Sequence, residues 1–227
     1  MGNLRIIQAV LFDMDGVLLD TERMTSRILD ELGAQFGYGK MSAVKPHAIG
    51  IRSTEMKSIY TRFFGKDFPF EDFMKIYRAR QDEEVQAHGV PVKPGLYRLL
   101  DYLKKEGYRI AVASSTSRER VLRYFDMTHI TDYFDGIICG DMVRKSKPDP
   151  EIYLTAARAV GARPEHCLVV EDSPFGCEAG WRAGAKVVMV PDLVQPDDKV
   201  RPMLTACVGT LDDVVPLLGT LNRAEDA

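Results

Sequence analysis

Two aspartates, Asp13 and Asp15, stand two residues apart where an apolar run of the chain ends. The run covers residues 9–12 and leads into Asp-Met-Asp-Gly, the pattern of a buried parallel strand that ends at the edge of a sheet. Two carboxylates this close repel each other and are poorly hydrated there unless they share a cation or a proton. The pair therefore predicts a site that binds a metal ion, moves a proton, or does both.

Three later polar clusters each follow an apolar run or begin a helical segment. They are Ser-Ser-Thr-Ser at residues 114–117, Lys-Pro-Asp-Pro at residues 147–150 and Glu-Asp-Ser at residues 171–173. Because parallel strands end at one edge of a doubly wound sheet, we expect these clusters to lie beside the two aspartates. Together they supply what phosphoryl transfer needs: a nucleophile, an acid–base group, a cation and hydrogen-bond donors. A carboxylate that attacks a phosphoryl group also needs a hard cation such as Mg²⁺, which prefers oxygen ligands.

Short apolar runs that alternate with helical patterns are the elements that would position these clusters. Candidate strands lie at residues 9–12, 109–113, 136–139, 167–170, 186–190 and 206–208, and candidate helices at residues 94–106, 150–161, 173–184 and 211–218. Such alternation predicts parallel β-α-β units. The predicted fold class is α/β, with a Rossmann-like doubly wound parallel sheet as its core.

Residues 20–89 differ from the rest because they show helical patterns and no strand pattern. An amphipathic helix is predicted at residues 21–33, and apolar residues recur at helical spacing as far as about residue 89. The sequence therefore predicts an α-helical cap domain at residues 20–89, inserted into a catalytic core of residues 1–19 and 90–227. The links at residues 19–21 and 89–94 would let this cap close over the edge of the sheet.

The composition is that of an ordinary soluble globular protein. The chain has 227 residues, of which 45% are apolar and 28% charged, and its net charge is -3. This balance argues against a nucleic-acid partner, and no apolar run approaches the ~20 residues that cross a bilayer. The four cysteines lie far apart without zinc-ligand spacing, which predicts buried free thiols. With no signal peptide in the sequence we expect a cytoplasmic protein, and nothing in it demands more than a monomer.

The order and spacing of these motifs resemble those of the haloacid dehalogenase superfamily of phosphohydrolases, in the β-phosphoglucomutase-like branch that carries a helical cap after the first strand. The four motifs of the superfamily match in order at Asp-Met-Asp-Gly-Val (residues 13–17), Ser114, Lys147 with the following proline, and Glu-Asp (residues 171–172). The resemblance spans nearly the whole chain. Asp15 favours phosphate chemistry over dehalogenation, because a halide leaves without a proton.

The resemblance implies a role for each acidic residue. Asp13 resembles the nucleophile that forms an aspartyl-phosphate, and Asp15 resembles the general acid that later serves as the base for water. Mg²⁺ would be held by Asp13, the backbone carbonyl of Asp15 and Asp172. Glu171 would be a further metal ligand or would support the ligands from behind.

The remaining matched residues would bind the substrate, which the resemblance implies to be a small phosphorylated metabolite such as a sugar phosphate. Ser114 and Lys147 resemble the ligands of the transferring phosphoryl group and complete the predicted catalytic set. Ser115 follows at the same strand end and is predicted to bind the phosphoryl group as well. Arg52 in the cap resembles an arginine that contacts the distal part of the substrate.

Phosphatases and phosphomutases of this branch share the same core motifs, so residues of the cap distinguish the two activities. A phosphatase and a β-phosphoglucomutase-type phosphomutase differ because the mutases carry a histidine on the first cap helix and a lysine later in the cap. The corresponding positions are about Thr25 and near Arg80. The missing histidine favours hydrolysis. A catalytically silent binding module is the third hypothesis, and the intact acidic and lysine motifs argue against it.

Overall fold

Six short strands form one parallel β-sheet in the computed structural model, which describes residues 6–47 and 53–223. In chain order they are β1 (Ala9–Phe12), β2 (Arg109–Ser114), β3 (Gly136–Cys139), β4 (Cys167–Glu171), β5 (Lys186–Met189) and β6 (Ala206–Cys207). Across the sheet the order is β3-β2-β1-β4-β5-β6, and every neighbouring pair is parallel. Because the chain winds outward in both directions from β1, the predicted doubly wound α/β fold is confirmed.

Eight α-helices accompany the sheet in the described part of the chain. They are α1 (Thr21–Gln35), α2 (Ser53–Phe64), α3 (Phe70–His88), α4 (Leu96–Lys105), α5 (Arg118–Met127), α6 (Glu151–Ala159), α7 (Pro174–Arg182) and α8 (Val214–Leu221). The sequence patterns predict all of them except α5, where charged residues interrupt a narrow apolar stripe. Within residues 6–47 and 53–223, no helix combines the length and the apolar character that a membrane span requires.

The sheet is buried on both faces, which explains why its strands are continuous apolar runs. In β1, Val10 and Phe12 lie on the face covered by α4, α5 and α8, while Ala9 and Leu11 lie on the face covered by α6 and α7. All four side chains are at most 1% exposed. Burial on both sides therefore fixes β1 firmly, and the next residue, Asp13, emerges at the carboxyl edge of the sheet.

The helical insert consists of α1, a 3₁₀ segment (Met41–His47), α2 and α3, and it joins β1 to α4. Its two connections to the core lie side by side. The Asp20 N–H donates to the Pro91 carbonyl at 2.8 Å, and the Lys93 N–H donates to the Leu18 carbonyl at 3.0 Å. The insert is therefore attached through two adjacent segments, close to the predicted links. Its status as a separate cap domain with the bounds 20–89 stays a prediction.

The cysteines are all free thiols. Cys139, Cys167 and Cys177 are buried, as predicted. The prediction of a buried thiol is wrong for Cys207, which is exposed because it belongs to β6, a two-residue strand at the edge of the sheet.

Candidate active site

The carboxyl ends of β1, β2 and β4 and the loop after β3 meet beneath the helical insert, and a cavity of about 560 Å³ lies between them. We call its core side the floor, which includes Asp13, Asp15, Ser115, Thr116, Lys147 and Asp172. We call its insert side the roof, which includes Glu22, Thr25, Lys45, Tyr77 and Gln81. The structure thus gathers the clusters that the sequence predicted to converge.

Lys147 connects two carboxylates of different strands on the floor. Its Nζ donates to Asp13 Oδ1 at 2.5 Å and to Glu171 Oε1 at 2.6 Å. Asp13 follows β1 and Glu171 ends β4, and the Asp13 N–H donates to the Val170 carbonyl at 3.0 Å, so sheet pairing sets their separation. All three charged side chains are buried. One ammonium shared by two carboxylates leaves a net negative charge in a site that water barely reaches.

Burial dominates the electrostatics of these groups. It raises the pKa of Asp13 to about 8, although the charge of Lys147 opposes the rise. It also raises the pKa of Asp172 well above its usual value, and the charges of Glu171 and Asp13 add to the effect. Burial alone would lower the pKa of Lys147, but the two neighbouring carboxylates outweigh it and the pKa is raised. Lys147 is therefore a permanent cation, whereas Asp13 and Asp172 ionise fully only with help from a further cation.

Asp172 has the clearest need for such a cation. One oxygen each of Asp13, Glu171 and Asp172 lie within 4.8 Å of one another, a spacing that suits a shared metal ion. Asp172 is 3% exposed, and its carboxylate contacts no hydrogen-bond donor within the described ranges. Gly16, with a left-handed φ of 84°, lies so close that a Cβ there would come within 2.2 Å of Asp172 Oδ2. The Asp-Met-Asp-Gly turn thus encloses a carboxylate that is costly to bury without a positive partner.

Glu171 differs from Asp172 because both of its oxygens are already occupied. Oε1 accepts hydrogen bonds from Lys147 Nζ at 2.6 Å and from the Tyr153 hydroxyl at 2.8 Å. Oε2 accepts from the backbone N–H of Asp172 at 3.0 Å, and from the N–H and hydroxyl of Ser173 at 3.1 and 2.9 Å. A carboxylate offers about four acceptor positions, so five donors leave little room for a metal ion.

Two hydroxyl groups orient the carboxylate of Asp15. Thr21 Oγ1 donates to Asp15 Oδ1 at 2.5 Å, and Thr116 Oγ1 donates to Oδ2 at 2.8 Å. Neither threonine is among the residues that the sequence motifs predict for the site. Thr116 carried a signal because it belongs to the hydroxyl-rich cluster, but nothing in the sequence linked Thr21, the first residue of α1, to Asp15. Both oxygens of Asp15 are thereby oriented, while its carboxylate still faces the cavity.

The predicted phosphate-binding residues lie at the end of β2. Ser114 is 1% exposed and is not among the residues that line the cavity, and its Oγ accepts a hydrogen bond from the Thr116 N–H at 3.0 Å. Ser115 lines the cavity directly. Arg52, the predicted contact for the distal part of the substrate, lies outside the described residues. The phosphate-binding role of Ser114 and Ser115 stays a prediction.

The roof contains a buried cation, Lys45, that no sequence motif predicts. Lys45 Nζ donates to the Glu22 carbonyl at 2.7 Å, forms an ion pair with the Glu22 carboxylate and donates to Thr25 Oγ1. Burial raises the pKa of Glu22, and the charge of Lys45 opposes the rise. Lys45 belongs to the 3₁₀ segment, which carries no clear periodic pattern, so nothing in the sequence distinguishes it from a surface lysine. By contrast, Arg80 does not line the cavity and pairs with Glu83 at 3.0 Å.

Where the insert meets the core beside the cavity, α3 and α5 are bridged by polar contacts. Arg120 of α5 donates to Gln81 of α3. Arg123 of α5 pairs with Asp82 of α3 at 2.8 Å, and Arg120 Nη2 lies 3.9 Å from the same carboxylate. Gln81 is buried, but the side chains of Asp82 and Arg123 are each 41% exposed, so their ion pair is a weak link between insert and core.

The sequence is similar to known phosphatases over most of its length. The family model described as haloacid dehalogenase-like hydrolase matches residues 10–190. A phosphorylated carbohydrates phosphatase of Thermotoga maritima is 31% identical over 179 residues, which cover 78% of this chain and 82% of that protein. A phosphoglycolate phosphatase of Aquifex aeolicus is 28% identical over 214 residues, which cover 87% and 97% of the two chains.

A solved structure shares the fold over nearly the whole chain. The crystal structure of CbbY from Rhodobacter sphaeroides in complex with phosphate superposes with a TM-score of 0.76 at 25% identity. The match covers 92% of this chain and 96% of that one, so it includes the helical insert as well as the sheet. These similarities agree with the resemblance drawn from the four motifs.

Proposed function

Because the chain belongs to the haloacid dehalogenase-like hydrolases and is a phosphatase, we propose that it cleaves a small phosphomonoester with Mg²⁺ through an aspartyl-phosphate at Asp13. The observation that carries the proposal is that two neighbouring carboxylates in one cavity have different hydrogen-bond partners. Asp13 pairs with Lys147 and belongs to the acidic cluster, whereas Asp15 accepts hydrogen bonds from two hydroxyl groups. One carboxylate is thus arranged to attack phosphorus and the other to move a proton.

The acidic cluster fits a Mg²⁺ ion, which would be held by Asp13, Asp172 and the backbone carbonyl of Asp15. The fit rests on the Asp172 carboxylate, which is buried and contacts no donor in the parts of the chain that the structure describes. The five hydrogen bonds to Glu171 favour its role as support behind the ligands. When bound, Mg²⁺ would offset the negative charge of the phosphoryl oxygens and so permit attack by a carboxylate.

In the first step Asp13 attacks the phosphorus, and the bond from phosphorus to the leaving oxygen breaks. Asp15 gives its proton to that oxygen, so that the product leaves as an alcohol. Lys147, Ser114 and Ser115 bind the phosphoryl oxygens through charge-assisted and hydroxyl hydrogen bonds. The result is an acyl phosphate on Asp13 and an ionised Asp15.

In the second step Asp15 takes a proton from a water molecule, and the water oxygen attacks the phosphorus of the aspartyl-phosphate. The bond from phosphorus to Asp13 breaks, so inorganic phosphate leaves and the nucleophile is restored. The hydroxyls of Thr21 and Thr116 orient Asp15 for both proton transfers. Asp15 ends the cycle protonated, as it began.

A sugar phosphate is the substrate class that the cavity supports best. A volume of about 560 Å³ suits a small metabolite, and the roof presents the charged and hydroxyl groups of Lys45, Glu22 and Thr25 to it. One relative is named for phosphorylated carbohydrates. The position where the mutases carry a histidine is about Thr25, and the missing histidine favours release of the phosphoryl group to water over its return to a sugar.

Phosphate release tests the proposal over a panel of sugar phosphates, nucleotides and glycolytic intermediates, with Mg²⁺ and with EDTA. We expect turnover of at least one sugar phosphate that EDTA abolishes and Mg²⁺ restores. No release from any substrate would overturn the proposal. Isomerisation of a sugar phosphate that depends on priming by a bisphosphate would identify a mutase instead.

Asp13→Asn tests the assignment of the nucleophile, because the amide keeps the shape of the side chain but cannot form the acyl phosphate. We expect turnover to fall by more than about 10³-fold on every substrate, with the unfolding temperature equal to or above that of the wild type. Activity near the wild-type level would refute the assignment of the nucleophile.

A further inference from the structure

Tyr153 is a fully buried tyrosine that contacts two charged groups of the floor without lining the cavity. It belongs to α6, and 1% of its surface is exposed. Its hydroxyl donates to Glu171 Oε1 at 2.8 Å, and its ring centroid lies 4.9 Å from Lys147 Nζ. No step of the proposed reaction uses it.

The Tyr153 hydroxyl and the Lys147 ammonium bind the same oxygen atom, Glu171 Oε1. Oε2 of that carboxylate is held by the chain at residues 172–173, and the two donors on Oε1 complete the orientation of the group. The ammonium is in turn placed against Asp13 Oδ1 at 2.5 Å. A shift of Oε1 would therefore move the ammonium relative to the nucleophile.

We propose that Tyr153 is a positioning residue that holds Lys147 against Asp13, with its hydroxyl fixing Glu171 Oε1 and its ring lying beside the ammonium. The inference rests on the proposed function, because Lys147 acts there on the phosphoryl group. The ring limits where the ammonium can go, since a cation within ~6 Å of an aromatic face is attracted to it. A displacement of a catalytic group by ~1 Å can cost up to ~10²-fold in rate.

Tyr153→Phe tests the proposal because it keeps the ring and removes only the hydroxyl. Tyr108→Phe is the matched control: Tyr108 is also buried, and its hydroxyl accepts a hydrogen bond from Asn222 Nδ2 at 2.8 Å, far from the site in the sheet. On a substrate that the wild type hydrolyses, we expect Tyr153→Phe to lower kcat by about 10-fold, with KM changed by less than about 2-fold. Tyr108→Phe should lower the unfolding temperature by about as much as Tyr153→Phe does, because each removes one buried hydroxyl. It should leave kcat unchanged.

A second measurement separates positioning of Lys147 from a general loss of order. Tyr153→Phe is combined with Lys147→Ala, which removes the group to be positioned. If Tyr153 acts through Lys147, its hydroxyl has no further effect on kcat in that background, because coupled residues are not additive. The Mg²⁺ concentration that gives half of the maximal rate should also stay within about 2-fold of the wild-type value.

Four results would overturn the proposal. The first is a wild-type kcat for Tyr153→Phe, and the second is an equal fall in kcat on loss of the hydroxyl whether residue 147 is Lys or Ala. The third is a large shift in the Mg²⁺ concentration that Tyr153→Phe requires. The fourth is a loss of folded protein in Tyr153→Phe that Tyr108→Phe does not share. The fourth result would mean that Tyr153 serves only to pack and stabilise the core. All four are read against a wild type with measurable turnover, so they are distinct from failure of the proposed function, in which the wild type itself releases no phosphate.

Discussion

The floor and the roof of the cavity hold their polar groups by different means. On the floor, Asp13 and Glu171 stand at the ends of paired strands, and Lys147 joins them through hydrogen bonds of 2.5 and 2.6 Å. In the roof, Lys45 extends from a 3₁₀ segment and Gln81 from α3, and their partners belong to the insert or to α5. Sheet register therefore fixes the floor, whereas the packing of helices fixes the roof.

This difference implies that chemistry and substrate choice are separable in this molecule. The floor contacts the phosphoryl group, which every substrate shares, so a change there should slow all substrates. The roof faces the part of the substrate that varies, so a change there should alter the ranking of substrates. Four predictions test the separation, in order of decreasing effect.

Asp15→Asn should cause the largest loss of these four, because the amide keeps the shape of the side chain but cannot donate or accept the catalytic proton. We expect kcat to fall by about 10²–10⁴-fold on sugar phosphates. With p-nitrophenyl phosphate, whose leaving group departs without a proton, one equivalent of p-nitrophenol should appear in a fast burst before slow turnover. Stopped-flow absorbance measures the burst. Steady turnover at the wild-type rate would show that Asp15 is not the acid–base group.

The floor could be predicted from the sequence because each of its motifs follows a strand whose apolar run is visible. Burial of β1 on both faces produces that run, and the topology then brings the strand ends together. The patterns of most helices are equally visible, with α5 the exception because its charges hide a short apolar stripe.

The roof and the supporting contacts could not be predicted, because they depend on distances between elements far apart in sequence. Lys45 of the 3₁₀ segment forms an ion pair with Glu22 of α1, and Tyr153 of α6 binds Glu171 at the end of β4. A lysine in a 3₁₀ segment and a tyrosine in an amphipathic helix look like ordinary surface and core residues in the sequence.

Lys45→Gln should discriminate between substrates, because it removes the roof's buried cation while keeping a hydrogen-bonding group. We expect kcat/KM to fall by about 10-fold on sugar phosphates but by less than about 3-fold on p-nitrophenyl phosphate, which has no hydroxyls for the roof to bind. Lys57→Gln, which removes an exposed lysine paired with Glu71 on the insert, should change neither value. An equal loss on both substrates would mean that the roof takes part in the chemistry, which would break the separation.

Removal of metal should make the stability of the floor depend on pH. Burial raises the pKa of Asp13 to about 8, against about 3.9 for an unfolded aspartate. A pKa raised by folding means that the folded state prefers the protonated form, so this stabilisation is complete below pH ~4 and is lost as the pH rises through ~8.

Thermal unfolding in EDTA and in saturating Mg²⁺ measures this dependence. Mg²⁺ replaces the missing protons, so it should raise Tm by about 3–8 °C more at pH 9 than at pH 6. Asp13→Asn should flatten the EDTA profile in part, because the raised pKa of Asp172 remains, whereas Lys57→Gln should leave the profile unchanged. An equal effect of Mg²⁺ at both pH values would contradict the burial of an uncompensated carboxylate in the floor.

Asp82→Asn should have the smallest effect, because it weakens only the partly exposed bridge between α3 and α5. Asp82 pairs with Arg123 at 2.8 Å, and such exposed pairs contribute about 0–1 kcal/mol. We expect KM to rise by less than about 3-fold at low ionic strength, with kcat unchanged and the difference lost in 0.5 M salt, the order of concentration that screens exposed charges. Glu83→Gln, whose partner Arg80 lies on the same helix, should show no such salt dependence. A large fall in kcat for Asp82→Asn alone would mean that the contact between insert and core sets the geometry of the floor, and the two regions would then act as one.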